Sequence, residues 1–377
     1  MNDKIRVLHV LDILTSNGGV ANVVLNYVRQ SNKSNYIIDI VINKESDKNL
    51  IDEVESYGGR VFLLPEIKIT SFLNFQREFA KILSQNDYKI VHGHLANSIF
   101  LYMKEAKELN IPVRIIHSHS ILNSSSAIKR IRNGILNKAI PFNCTHFFAC
   151  SKQAGINLFK RFANIDDVSI LPNSIDTNKF KYNKQTRMDL RKLHNVEDCF
   201  VIGHIGRFSK EKNHKFLINT FQKLLQNNQK CKLILIGDGE LKVEIQKFIH
   251  ERKIEEYVLM LGVKENVYDY YQMFDCLWFP SLFEGFGIVA LEAQCSGLPC
   301  IVSNNVPRSV AVTDLISFIE LNDTEKWLEV TKNYINTKFE RLDKSLVIRN
   351  IGYDVIDQGE KLFLLYDKIL KEVYYGE

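Results

Sequence analysis

Short apolar runs alternate with segments of helical apolar spacing along the first half of the chain. IRVLHVLDIL (5–14) reads as a buried strand, followed by the turn TSNGG and the helical pattern ANVVLNYVRQ (21–30). YIIDIVIN (36–43), GGRVFLLP (58–65), KIVHGH (89–94) and PVRIIHSHS (112–120) repeat the strand pattern. Between them lie a polar helix with Ile51 and Val54 inward, then FQREFAKILSQN (75–86) and SIFLYMKEAKELN (98–110). Strands apolar on both faces and separated by helices predict a parallel sheet covered on both sides. The pattern then restarts. FVIGHIGRF (200–208), CKLILIGDG (231–239), VLMLGV (258–263), CLWFPS (276–281) and GLPCIVS (297–303) read as strands, with helices at 213–228, 241–253, 267–274 and 287–296. Two α/β runs of similar size, joined through the polar, Pro-containing segment ILPNSIDTNKF (170–180), predict two Rossmann-like domains. DQGEKLFLLYDKILKEVYY (357–375) reads as a terminal amphipathic helix.

Composition narrows the class without naming it. The 377 residues are 45% apolar and 25% charged with 7 Pro, which excludes low-complexity disorder, collagen and a disulfide mini-scaffold. No run approaches the roughly 18 apolar residues of a membrane-spanning helix. The first residues lack a signal-peptide layout, because His9 and Asp12 break the apolar run. The seven cysteines are scattered with no Cys-x-x-Cys, so reduced thiols are expected. The net charge of +5 is unevenly placed. Residues 1–172 hold 21 Lys+Arg against 15 Asp+Glu, and the remainder holds 28 against 29. A basic half suits a polyanion or a membrane surface. No nucleic-acid motif accompanies the charge, so no nucleic-acid partner is expected.

In open parallel sheets ligands bind beyond the carboxyl ends of the strands, which directs attention to those turns. Gly18-Gly19 follows the first strand and opens a helix, a place where backbone can approach an anion. Gly237-Asp238-Gly239 has Lys242 where a dinucleotide fingerprint needs its third glycine, which argues against nicotinamide or flavin chemistry. His117-Ser118-His119 ends the fifth strand, and His92 and His94 end the fourth. Each His pair lacks a neighbouring Cys or carboxylate to complete a ligand set, so no metal site is expected. Arg207 and Lys212 follow the strand that opens the second half and suit phosphate oxygens. PSLFEGFGIVALEAQCSGLP (280–299) carries the most information. Gly285 and Gly287 leave the first N–H groups of a helix accessible to an anion, while Glu284 and Glu292 flank it as readers of hydroxyls. A diphosphate cradle between two carboxylates suits a nucleotide sugar.

These residues resemble a known family. Glu284-Gly285-Phe286-Gly287 through Glu292 looks like the Glu-x7-Glu motif of the retaining glycosyltransferases of GT-B fold, family 4. Gly18-Gly19 is similar to its N-terminal glycine loop, and Pro172-Asn173-Ser174-Ile175-Asp176 to its Pro-Asn-Gly-Val-Asp linker with Ser for Gly. Gly206-Arg207 with Glu211-Lys212 resembles its Gly-Arg…Glu-Lys motif. The style of IIHSHS most resembles enzymes of bacterial exopolysaccharide and capsule assembly. The resemblance implies an acceptor-binding domain over 1–172 and a nucleotide-sugar-binding domain over 173–356, two Rossmann-like domains facing across a cleft. It also implies a helix 357–377 that returns to the first domain. It further implies that Arg207 and Lys212 bind the donor diphosphate, Glu292 the ribose, and Glu284 with the amides of Phe286, Gly287, Ile288 and Val289 the sugar and phosphates. Val263 would meet the base, His117 the transferred sugar, and Gly19 the donor phosphates.

The expected activity is retaining transfer of a hexose or N-acetylhexosamine, UDP being the expected nucleotide, to a glycan or lipid-linked acceptor in cell-surface polysaccharide synthesis. No Asp-x-Asp occurs anywhere in the chain, so catalysis without metal or other cofactor is expected. Where relatives often carry a Gly-Gly-x-x-Glu loop, this chain has Asn304-Asn305-Val306-Pro307-Arg308-Ser309. AIKRIRNGILNKAIPF (127–142) reads as a basic amphipathic helix able to lie on anionic lipid, and a cytoplasmic protein with peripheral contact at the inner membrane face is expected. Two alternatives remain at this point, a nucleotide-sugar epimerase on the same fold and a non-catalytic partner of another transferase.

Overall fold

The computed structural model describes residues 4–15, 18–67, 71–119, 127–226, 230–337 and 339–376, with backbone only for 127–130. The chain forms two compact units, Met1–Ser174 with Val355–Glu377, and Ile175–Asp354. Each is built on its own parallel sheet.

In the first unit β1 (Ile5–Val10), β2 (Tyr36–Ile42), β3 (Val61–Leu63), β4 (Ile90–Gly93), β5 (Val113–Ser118), β6 (His146–Ala149) and β7 (Val168–Ile170) lie in the order β3-β2-β1-β4-β5-β6-β7. The strand order reverses between β1 and β4, where Val7 pairs with Ile90 and His9 with His92. One apolar core lies around Phe75, Phe79 and Tyr102, and another around Val24, Tyr27 and Ile40. The terminal helix Val355–Tyr375 belongs to this unit. It packs Leu362, Phe363 and Tyr366 into the second core against the helix Gly19–Ser31. Gly359 permits the approach, since a Cβ there would sit 2.6 Å from Gln30 Cβ.

In the second unit β8 (Phe200–Ile205), β9 (Cys231–Ile236), β10 (Val258–Gly262), β11 (Cys276–Phe279), β12 (Cys300–Ser303) and β13 (Ile316–Ile319) lie in the order β10-β9-β8-β11-β12-β13. Its reversal point lies between β8 and β11, where Cys276 pairs with Ile202. Thr177 and Asp354 close the unit's ends on each other, the Thr177 N–H donating to Asp354 Oδ2 at 3.2 Å.

Strands β6, β7 and β13 extend both sheets beyond the hydrophobic reading. The basic segment 127–142 is not one helix. Its helix Ala127–Leu136 gives way to a 3-10 turn, Asn137–Ala139, and a single helical turn, Ile140–Asn143. Pro141 explains the break: without an N–H it cannot continue the helix and instead opens the next one. Among the described residues no helix is long and apolar enough to cross a membrane.

Candidate active site

The β8/β11 reversal point of the second unit gathers the residues singled out at 206–212 and 280–292. Beyond β8 the chain turns through Gly206 and Arg207 into a 3-10 turn, Lys210–Lys212. Gly206 lets the Lys212 stem pass close to the backbone, since a Cβ there would lie 3.3 Å from Lys212 Cδ and Cε and would have to displace them slightly. Beyond β11 the loop runs beside it, with the Leu282 N–H donating to the Glu211 carbonyl at 2.7 Å. This juxtaposition lets Lys212 Nζ donate to Glu284 Oε1 at 2.5 Å, with both side chains largely enclosed. The ammonium also lies 4.7 Å from the centre of the Phe279 ring. A cation predicted to hold phosphate and a carboxylate predicted to hold sugar are thus already charge-compensated.

Arg207 is placed differently. Its side chain is 74% exposed and pairs with Glu240 at 3.2 Å. An exposed pair of this kind contributes less than about 1 kcal/mol, so it yields readily to a better anion. Glu211, which the sequence reading left without a role, lies in the field of both cations. Its carboxyl is held below its ordinary range by its own backbone N–H and by Ser209, with smaller contributions from Arg207 and Lys212.

The helix Ile288–Cys295 begins at Gly287, whose φ of +89° only glycine adopts freely. No side chain caps this end. The Ala290 N–H returns to the Gly287 carbonyl at 2.9 Å, and by helix geometry the N–H groups before it have no partner inside the helix. A bare, uncapped N-terminus beside Lys212 and Glu284 is suited to an anion. The Ile288 and Val289 side chains are half-buried, whereas Phe286 is buried and stacks on Tyr353 at 5.7 Å, which makes its ring part of the core. Glu292 lies one turn in. It keeps a partly exposed edge while its carboxyl is enclosed, and desolvation pushes its pKa up to about 7. Tyr271 donates its hydroxyl to Glu292 Oε2 at 2.5 Å. Tyr271 is a second residue that sequence reasoning missed, since nothing local marks an apolar helix tyrosine as a carboxylate's partner. Val263 is exposed just after Gly262, whose carbonyl accepts from the Gly237 N–H at 2.9 Å. Gly237 must be glycine, as a Cβ would come within 2.0 Å of the Gly206 carbonyl oxygen.

His117 and Gly19 lie in the first unit. Gly19 is the first residue of its helix, and a Cβ there would meet nothing within 4 Å; Asn17 before it falls outside the described residues. His117 is buried at the end of β5 and is not isolated. Sheet register places the two His pairs side by side and adds His9, so that five imidazoles and Tyr366 form one enclosed group. His9 Nδ1 is hydrogen-bonded to His94 Nε2 at 3.0 Å, His94 Nδ1 to His119 Nε2 at 2.6 Å, and His92 Nε2 to His117 Nδ1 at 3.3 Å. Tyr366 OH lies 2.6 Å from His92 Nδ1 and 3.2 Å from His9 Nε2. Burial pushes His9 down to about 3 and His119 to about 4, and holds His92, His94 and His117 well below the imidazole range. All five are therefore neutral near pH 7. Considered pair by pair, these histidines lacked a third ligand. Considered together, two trios, His9/His92/His94 and His94/His117/His119, bring ring nitrogens within 4.8 Å of one another. The rings oppose a shared ion, because His117 and His119 stack at 4.0 Å and 27°, and His92 and His94 at 4.7 Å and 14°. Imidazole lone pairs lie in the ring plane, and near-parallel stacked rings do not aim them at one point.

Comparison with known proteins agrees with this architecture. The description "Glycosyltransferase Family 4" matches residues 17–179, and "Glycosyl transferases group 1" matches residues 186–341. EpsF of Bacillus subtilis (strain 168), whose own naming as a glycosyltransferase is provisional, is 32% identical over 373 residues, covering 96% of each chain. The Escherichia coli UDP-Gal:alpha-D-GlcNAc-diphosphoundecaprenol alpha-1,3-galactosyltransferase is 24% identical over 97% of each chain. The structure of Anabaena HepE in complex with UDP and glucose superimposes with a TM-score of 0.81 at 14% identity, covering 96% of this chain and 99% of that one. The chain belongs to glycosyltransferase family 4 and is a group 1 glycosyltransferase of two-domain GT-B fold.

Proposed function

We propose that the protein transfers a hexose or N-acetylhexosamine, with retention of configuration and without metal, from a UDP-linked donor to a glycan or lipid-linked acceptor of cell-surface polysaccharide. The observation that carries this reading is the Lys212–Glu284 pair set beside the uncapped helix end at Gly287, with Glu292 one turn further on. A donor diphosphate placed there replaces Glu284 as the counter-charge of Lys212 and accepts hydrogen bonds from the helix N–H groups. Glu292, freed from Tyr271 or shared with it, accepts from ribose hydroxyls, and Glu284 turns to the sugar.

As the bond from the anomeric carbon to phosphate oxygen breaks, negative charge grows on the diphosphate. Lys212 and the helix end are fixed in advance where that charge develops, and Arg207 joins by leaving Glu240. The acceptor oxygen forms the new bond from the same face, and its proton passes to the departing phosphate. No other carboxylate is required as a nucleophile. Two names support the donor and acceptor classes: the E. coli relative is named for UDP-Gal and a diphosphoundecaprenol-linked acceptor, and a Staphylococcus aureus relative, 25% identical, for capsular polysaccharide biosynthesis.

The segment after the first unit's β5 supports contact with a lipid surface. Ile131, Ile135 and Phe142 are 67%, 60% and 71% exposed beside Arg132 and Lys138. Co-flotation with anionic but not neutral vesicles is expected, and equal recovery with both would remove this element. A thermal-shift panel of nucleotides and nucleotide sugars tests the main reading. UDP and a UDP-sugar should raise the melting temperature, and a folded protein indifferent to every sugar nucleotide would overturn it.

A further inference from the structure

Arg341 is buried, yet its hydrogen-bond partners are all main-chain carbonyls. Its Nη1 donates to the carbonyls of Tyr271 at 3.0 Å, Gln272 at 2.9 Å and Phe274 at 3.1 Å, at the end of the helix Val267–Met273. Its Nε and Nη2 donate at 3.2 and 2.5 Å to the carbonyl of Ser296, which follows the helix Ile288–Cys295. One planar guanidinium thus spans the C-terminal ends of two helices. The last carbonyls of a helix have no partner inside it and carry its negative pole, so they compensate a buried cation that has no carboxylate. Burial brings the Arg341 pKa down to about 9, which leaves it charged near pH 7. Arg187 and Arg191 also donate to the first helix end and pair with Asp275, but Arg341 crosses to the second. The segment that delivers it fits closely. Gly297 has φ +66°, and a Cβ there would lie 2.0 Å from the Leu342 carbonyl oxygen.

These two helices carry Tyr271 and Glu292. Arg341 holds the carbonyl of Tyr271 directly. It reaches Glu292 in one step, because the Ser296 N–H donates to the Glu292 carbonyl at 3.2 Å. Between these anchors the Tyr271 hydroxyl donates to Glu292 Oε2 at 2.5 Å. A slip of about 1 Å between the helices would carry that contact past the roughly 3.0 Å limit of an O–H···O bond. Glu292 Oε1 has no hydrogen-bond partner among the described residues. One oxygen of the carboxylate is therefore taken and the other is free to accept.

We propose that Arg341 and Tyr271 are positioning residues for nucleoside recognition: Arg341 locks the two helix ends together, and the lock keeps Tyr271 on Glu292 Oε2 so that Oε1 accepts from a ribose hydroxyl. The guanidinium is suited to this because its donors lie in one rigid plane and serve both helix ends at once. A lysine ammonium is a point charge on a flexible stem and cannot span them. The ribose as ligand rests on the function proposed above; the coupling of Arg341, Tyr271 and Glu292 does not.

The test uses the full chain and two readouts. The first needs no ligand. Carboxyl signals of 13C-labelled glutamate are followed against pH, with Glu292 assigned by Glu292→Gln. The Tyr271 hydroxyl favours the carboxylate, so Tyr271→Phe should move the Glu292 midpoint up from about 7. Arg341→Lys keeps the positive charge but not the bridge. It should move the midpoint the same way, and should add nothing in the Tyr271→Phe background. The second readout is isothermal titration, above the Glu292 midpoint, with UDP and with 2′,3′-dideoxy-UDP. The unaltered chain should prefer UDP about tenfold or more, as expected for a hydrogen bond to a charged group. Tyr271→Phe and Arg341→Lys should each shrink that preference to within about threefold while changing dideoxy-UDP affinity less than about twofold. If Arg341→Lys fails to fold, Arg341→Gln, which retains two N–H donors, is read by the ligand titration. Equal weakening of both ligands by the Arg341 variant, or a Glu292 midpoint untouched by Arg341→Lys, makes Arg341 a purely structural clamp and overturns the proposal. Equal binding of both ligands by the unaltered chain removes the ribose contact and overturns it as well. No binding of UDP at all refutes the donor reading and leaves the midpoint result to decide the coupling.

Discussion

Mild acid should weaken the first unit more than the second. His9, His92, His94, His117 and His119 are held neutral by burial, with His9 near 3 and His119 near 4, whereas an unfolded chain protonates each near 6.5. Between those limits the unfolded state binds more protons than the folded one, so stability is complete above about pH 6.5 and falls as the pH drops. Each imidazole kept neutral costs about 1.4 kcal/mol at pH 5.5, and five together about 7 kcal/mol. That is comparable with the whole stability of an ordinary domain, about 5–15 kcal/mol. Glu292 works in the opposite sense in the second unit. Its folded pKa of about 7 lies above the unfolded value, so its stabilising effect is present at low pH and lost as the pH rises through 7. Acidification from pH 7.5 to 5.5 returns at most about 2 kcal/mol there. Hydrogen exchange read by mass spectrometry at pH 7.5, 6.5 and 5.5, corrected for intrinsic rates, should show β1, β4 and β5 losing more protection than β8, β11 and β12, where His204 and His214 are also held below the imidazole range by burial but Glu292 offsets most of their cost. Replacing one histidine, as in His9→Gln, should reduce the steepness of the loss by about one proton. First-unit protection independent of pH over this range would refute the claim that the cluster is uncharged.

Lys212→Ala leaves Glu284 enclosed without its partner and removes a fixed positive charge; kcat should fall about 100- to 1,000-fold with a much smaller change in donor KM, and an unchanged kcat would remove Lys212 from the transition state. Gly287→Ala forces φ +89° on a residue with a Cβ 3.0 Å from Val306 Cγ1; a cost of about 1–2 kcal/mol should lower the second unit's melting temperature by about 2–8 °C in calorimetry, together with weaker donor binding. Exhaustive dialysis against EDTA should leave turnover unchanged, and a tenfold loss restored by Mg2+ or Mn2+ would contradict a mechanism in which Lys212, Arg207 and the helix end neutralise the diphosphate.

Legibility in the sequence followed the range of the interactions. The long strands β1, β2, β5, β8 and β9 are rich in apolar residues on both faces and are readable, as is the Gly-Phe-Gly turn into the helix of Glu292. HFFA of β6, VSI of β7 and ISFI of β13 are too short for a periodic signal, and only pairing with a neighbouring strand makes them strands. Pro141 breaks the helix that the amphipathic pattern of 127–142 predicts, because a missing N–H does not show in the spacing of apolar and basic residues. Site residues whose role lies in a local motif could be named. Partnerships could not: Lys212 and Glu284 are 72 positions apart, and Tyr366 meets His92 across 274. The histidine group is the clearest case. Two His-x-His pairs were visible, but their convergence with His9 depends on the β1–β4 register, which no single segment encodes.

The central claim is that the second unit binds a nucleotide-sugar donor at the Gly287 helix end, with Glu292 reading the ribose. Isothermal titration of UDP into the unaltered chain and into Glu292→Ala tests it most directly. The account predicts saturable one-to-one binding to the former and affinity at least about tenfold weaker in the variant, as loss of a charged hydrogen-bond acceptor of about 1.5–3 kcal/mol requires. UDP binding equally tight to both proteins, or absent from the folded unaltered chain, would contradict it.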